Sequence, residues 1–140
     1  MDNTPNILAV RFGININVDR ENWVYYILSG QKTIETRPAS VAGQWRRHVG
    51  ERIGLIRTTS KKGNLPTGLL VGTALLVEVR DYKTKEDFDK DLQKHFYKCP
   101  NGWENDRRCG LVLREVSVFD RPLLLKPPKH FGTVREIEFM

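Results

Sequence analysis

The chain has 140 residues, 39% hydrophobic and 29% charged, a globular rather than disordered composition with apolar mass for one modest core. Its 23 Lys and Arg against 17 Asp and Glu give a formal charge of +6, which favours polyanionic partners, with dispersed solubility charge as the plain alternative. Two cysteines, Cys99 and Cys109, make no disulfide framework, and no apolar run approaches the roughly 20 residues needed to cross a bilayer.

The first five residues carry neither a basic nor an apolar region, so no signal peptide is expected. The chain reads as a cytoplasmic, monomeric, single domain over residues 1–140, with free thiols and no membrane partner. Residues 7–12 form an apolar-rich first strand. Residues 13–18, with Ile14, Ile16 and Val18 alternating with Asn15 and Asn17, read as extended structure or as a loop that continues the strand. Asp19 is the candidate N-cap of a helix over residues 20–29, on which Trp23 and Ile27 share a face beside Val24 and Leu28. Gly30 stands where a helix places its left-handed terminal residue. A strand over 33–37 is ended by Pro38, which has no N–H for a ladder. Residues 39–49 read as loop, 51–58 as a third strand, and 61–66 as a basic, turn-rich link.

Residues 69–82 are the longest β-like segment, a continuous apolar run that becomes alternating. Thr84 and Asp87 open a second helix, whose stripe of Phe88, Leu92 and Phe96 is predicted to be buried. Residues 99–108 are loop and 109–119 strand. Pro122, Pro127 and Pro128 break the next stretch, and 132–139 give a final strand. The order β-α-β-β-β-α-β-β predicts an α+β, mainly β fold: a small, mostly antiparallel β-barrel with about two flanking helices.

The chemistry concentrates in residues 23–38, WVYYILSGQKTIETRP. An amphipathic helix ends at Gly30, and a strand follows that carries Lys32, Thr33, Glu35 and Arg37. Alternation puts Glu35 and Arg37 on one face; Lys32 joins them only if the chain is irregular after Gly30. Lysine and arginine pair with phosphates or base edges, arginine with a bidentate fork, while a glutamate accepts from an exocyclic amine or serves as general base. The competing reading is a salt-bridge set on a barrel rim. Four basic loop clusters, Arg46-Arg47-His48, Lys61-Lys62, Arg107-Arg108 and Lys126/Lys129/His130, make a phosphate track if they converge. Trp45 beside Arg46 is a candidate stacking platform for an unpaired base; Trp103 near Arg107 is another, or a plug for the barrel end. His95, Cys99 and Cys109 lack a C-x-x-C pair and a clear fourth ligand, so no metal and no cofactor are expected.

The 23–38 segment resembles the signature of the ASCH domain, loosely I-L-x-G-x-K-T-x-E-x-R. Weaker matches follow in order: the Gly50 turn into a barrel strand, a central strand at 68–74, a helix at 84–96, Trp103, and the segments 111–113 and 121–123. The resemblance spans residues 7–139. It implies a PUA-like barrel with a cleft beside the helix-to-strand junction, and association with RNA. Some members resemble ribonucleases. Some small bacterial ones are amidohydrolases acting on N4-acetylated cytidine, with a catalytic threonine three positions after the matching lysine; here that position is Glu35.

The resulting expectation is an RNA- or nucleotide-binding domain. Lys32, Thr33, Glu35, Arg37, Trp45, Arg46, Arg47, Lys61 and Lys62 would contact RNA, another single-stranded nucleic acid, or a nucleoside-like small molecule. The alternative is a hydrolase acting on RNA or a modified nucleoside, with Lys32 and Glu35 catalytic. A third reading is a protein-interaction module using a barrel edge or the proline-rich 122–128 segment.

Overall fold

The apolar alternation of the sequence becomes a six-stranded sheet in the computed structural model, which describes residues 9–59, 68–130 and 132–140. The strands are β1 (Phe12–Asn17), β2 (Ile34–Pro38), β3 (Arg52–Thr58), β4 (Leu69–Asp81), β5 (Arg108–Leu124) and β6 (Arg135–Glu136), in the order β2-β5-β4-β3-β1-β6. Four short helices decorate it: α1 (Trp23–Leu28), α2 (Ala42–Arg46), α3 (Lys85–Lys90) and α4 (Leu92–His95). The fold is therefore mainly β, and the sheet curls into a half-barrel. No helix among the described residues is long and apolar enough to cross a membrane.

Most pairings are antiparallel, but β1 runs parallel to β3, with Ile14 opposite Leu55. β4 and β5 are the long central strands, and three register shifts between them bend the sheet. Gly72 sits at one of these bends, and a Cβ there would collide with the carbonyl of Ser117. In the larger core, Ile14, Ile16, Leu55, Leu76, Leu111 and Leu113 pack with Val24 and Ile27 of α1. A smaller cluster of Ile56, Leu70 and Leu125 is buried separately. Leu55 and Ile56 are adjacent yet both fully buried, so β3 is covered on both faces. β4 behaves as its sequence predicts, buried at its start and half-exposed from Val77 onward.

Several elements differ from the sequence reading. The cap of α1 is Asn22, whose side chain accepts from the Tyr25 N–H, not Asp19. The Asp19 N–H is instead taken by the Asn17 side chain, a local Asx turn that competes with helix. Residues 39–49 are not loop: a 3-10 turn (Ala39–Val41) leads into α2, because Ala42 and Trp45 give that turn something to bury. The second helix breaks at Asp91, whose side chain is drawn off by Arg80 and Tyr82. The break puts His95 in the core and leaves Leu92 and Phe96 half-buried. β5 continues through Pro122 to Leu124, while the final strand shrinks to Arg135–Glu136 plus a bridge between Leu125 and Phe139.

Candidate functional site

Helix α1 ends through Ser29, and Gly30 then takes φ +82°, the left-handed conformation that glycine reaches without a Cβ penalty. This turn sends the chain into β2 out of regular alternation. The Lys32 N–H bonds to the Tyr26 carbonyl at 2.8 Å, and the Thr33 N–H bonds to the Lys94 carbonyl at 3.1 Å. Because the backbone is committed to α1 and α4 here, Lys32 turns to the side that Glu35 and Arg37 occupy. Its Nζ lies 3.4 Å from Glu35 Oε1, and Arg37 Nη1 lies 3.4 Å from Glu35 Oε2. The cation, the acid and the guanidinium thus form one chain of charges.

That chain lies at the seam of the half-barrel. Arg37 donates from Nη2 to the Asn15 carbonyl on β1 at 2.6 Å and from Nη1 to the Thr36 carbonyl at 2.7 Å. A cavity of about 390 Å³ opens between β1 and β2. Asn15, Asn17, Trp23, Tyr97 and Arg20 join Lys32, Glu35 and Arg37 around it, and Arg108 of β5 completes the wall. Among the described residues, four cations and one carboxylate, Glu35, line the cavity, and Asp106 pairs with Arg108 beside it.

Lys32 and Glu35 form the floor, only 2% and 4% exposed. The Lys32 ammonium donates to the His95 carbonyl and sits 4.8 Å from the Trp23 ring centre. Burial pulls its pKa below the ordinary lysine value, partly offset by Glu35. Burial alone would raise the pKa of Glu35. Arg37, Lys32 and the Thr36 N–H together outweigh that and hold it below the usual carboxylate range. The floor is an ionised acid braced by two cations.

Arg108 is fixed from three sides. It donates to the Thr36 carbonyl and hydroxyl, pairs with Asp106 at 3.2 Å, and stacks over Tyr97 with 4.6 Å from the guanidinium carbon to the ring centre. The Tyr97 hydroxyl donates to Asp106, and burial with that carboxylate pushes its pKa up to about 12. His95 is wholly buried and stacks on Phe88 at 4.0 Å. Its Nδ1 accepts from the Tyr97 N–H, so Nε2 carries the proton and donates to the Phe88 carbonyl. Burial lowers its pKa, consistent with a neutral ring that anchors the floor.

The other sequence candidates lie elsewhere. Thr33 does not line the cavity; its carbonyl accepts from the Leu113 N–H and splices β2 to β5. Trp45 is fully buried, with Nε1 donating to Thr133 at 2.7 Å, so it has no free face for a base and is a core residue instead. Arg46 is exposed and paired with Asp81, and Arg107 is exposed and paired with Glu104. Arg47 and His48 meet Lys129 and His130 around a second cavity of about 260 Å³, where Glu136 and Glu138 balance the charge. The basic clusters therefore do not form one track. Lys61 and Lys62 lie outside the described residues. Trp103 is buried against Phe88 of α3 and is not among the residues that line the cavity. Both nitrogens of His95 are engaged, and no group of three His, Cys, Asp or Glu among the described residues is placed to hold a metal.

The sequence reading missed Arg20, Trp23, Thr36 and Tyr97 as cleft residues, and placed Arg108 only in a general basic loop cluster. Strand register brings Arg108 in, because it stands opposite Pro38 in the β2–β5 pair. A scan against protein-family models finds no match for the chain, and a search of curated proteins finds no relative.

Proposed function

We propose that this protein binds single-stranded RNA through the seam between β1 and β2, as an ASCH-type domain on a PUA-like barrel. The observation that carries the proposal is the cavity wall itself: Lys32, Arg37, Arg108 and Arg20 against the single carboxylate of Glu35. A concave surface with surplus positive charge concentrates polyanions, and each phosphate it neutralises releases counterions. Trp23 and Tyr97 add aromatic surface of the kind on which unpaired bases stack. The motif that resembles the ASCH signature is also the segment that supplies the floor of this cavity, and a curled half-barrel is compatible with the fold that resemblance implies.

Binding fits the geometry better than hydrolysis of RNA or of a modified nucleoside. A general base works best with a pKa near the working pH, and Glu35 is held well below that by its two cations. Lys32 is already engaged by Glu35 and the His95 carbonyl. Titration of an oligoribonucleotide over a range of salt concentrations tests the proposal. With Glu35 and Asp106 both counted, a surplus of two cations predicts that the log of the binding constant falls with log salt at a slope of about −1.4. No binding even at low ionic strength contradicts it.

A further inference from the structure

Two guanidinium groups in this cleft converge on one backbone oxygen. Arg37 Nη1 donates to the Thr36 carbonyl at 2.7 Å, and Arg108 Nη2 donates to the same oxygen at 3.2 Å. Like charges brought this close repel, and among the described residues each has one carboxylate partner, Glu35 for Arg37 and Asp106 for Arg108. The arrangement leaves donors unspent. A guanidinium carries five N–H groups in a fixed fork. Among the described residues, Arg37 uses none from Nε and one from Nη2, whereas Arg108 spends Nε and Nη2 on Thr36 and one N–H of Nη1 on Asp106, which leaves it a single free N–H. Arg20 stands on the rim of the same cavity, exposed and without an ion-pair partner among the described residues.

We infer that this pair, with Arg20, is a seat for a phosphomonoester carried on a nucleoside. A diester phosphate brings one negative charge, whereas a phosphomonoester brings about 1.5 to 2 and three acceptor oxygens. The second matches a cleft in which, beyond the pairs with Glu35 and Asp106, two cations are in excess, Arg37 keeps free N–H donors and Arg108 keeps one. Trp23, whose ring shares the cavity, is positioned for the attached base. This inference rests on reading the cleft as a nucleic-acid site, and it sharpens that reading from any phosphate to a terminal one. A phosphomonoester on a nucleoside has two sources, the end of an RNA strand and a free mononucleotide.

Four probes separate the possibilities: a short oligoribonucleotide ending in a phosphate, the same strand ending in a hydroxyl, a nucleoside monophosphate, and the bare nucleoside. The expected result is at least about tenfold tighter binding of the phosphate-ended strand than of the hydroxyl-ended one. A monophosphate that binds as tightly as the phosphate-ended strand identifies the free nucleotide as the source; a tighter strand identifies the RNA end. Arg108→Lys keeps the charge but removes the planar group whose bonds to Thr36 and Asp106 aim its remaining N–H, and is expected to erase the preference. Should that variant fail to fold, the exposed Arg20→Gln is expected to reduce the preference with the fold intact, as followed by circular dichroism. Equal affinity for both strand ends overturns the inference and leaves the RNA reading standing. A preference that survives both substitutions overturns the assignment to these arginines. No binding of any probe overturns both.

Discussion

Arg37 on β2 reaches the carbonyl of Asn15 on β1 at 2.6 Å, although β5, β4 and β3 separate the two strands in the sheet. A flat sheet could not make this bond. It ties the curl of the half-barrel to a residue of the cleft, so that the shape of the site and its charge depend on the same side chain.

Arg37→Gln is therefore expected to lower stability and weaken RNA binding together. It removes charge-assisted bonds to the Asn15 and Thr36 carbonyls, a loss of about 1.5–3 kcal/mol. Urea unfolding measures the first effect, and affinity per folded molecule the second. A variant with unchanged stability contradicts the role of the seam.

Removing Glu35 strands a buried ammonium. Glu35→Ala is expected to cost about 3–5 kcal/mol, because Lys32, 2% exposed, loses its counter-charge where water reaches it poorly. The double variant Lys32→Met/Glu35→Leu is expected to lose less than the sum of the single changes. Additive losses in a double-mutant cycle contradict direct coupling between the two.

The same pair sets a pH dependence. Glu35 titrates below its ordinary value of 4.5 in the folded protein, so its contribution to stability is fully present above that pH. The contribution is lost as pH falls through the folded value. Lys32 titrates below its ordinary 10.5, so the unfolded chain holds its proton more tightly. Stability from this group rises as pH climbs from the folded value toward 10.5. Unfolding midpoints measured on acidification are expected to fall more steeply in the wild type than in Glu35→Gln. Identical acid limbs contradict the assignment.

Trp45 separates core from cleft. Trp45→Phe is expected to lower stability, through the lost bond to Thr133 worth about 0.5–1.5 kcal/mol and the smaller ring. RNA affinity per folded molecule is expected to stay unchanged. A loss of affinity at full folding contradicts its placement in the core.

The sequence carried the local parts of this account well. Gly30 announced the left-handed turn, and the alternation of residues 69–82 announced a strand buried at one end. The Lys32–Glu35–Arg37 cluster was legible on one condition, an irregular path after Gly30. The bonds of Lys32 and Thr33 to the Tyr26 and Lys94 carbonyls meet that condition. What the sequence could not carry was register. Arg108 enters the cleft because β5 pairs with β2, and nothing in the order of residues states that pairing. Trp45 misled for a related reason. Its polar neighbours Gln44, Arg46 and Arg47 suggested a surface loop, but one turn of helix is enough to turn a single face inward.

The most direct test of the proposed RNA site is a map of backbone amide shifts on titration with a short oligoribonucleotide. The account predicts that the largest changes fall on Asn15, Asn17, Lys32, Thr36, Tyr97 and Arg108, around one cavity. Changes confined to the second cavity, at Gln44, His48 and Lys129, or no changes at all, would contradict it.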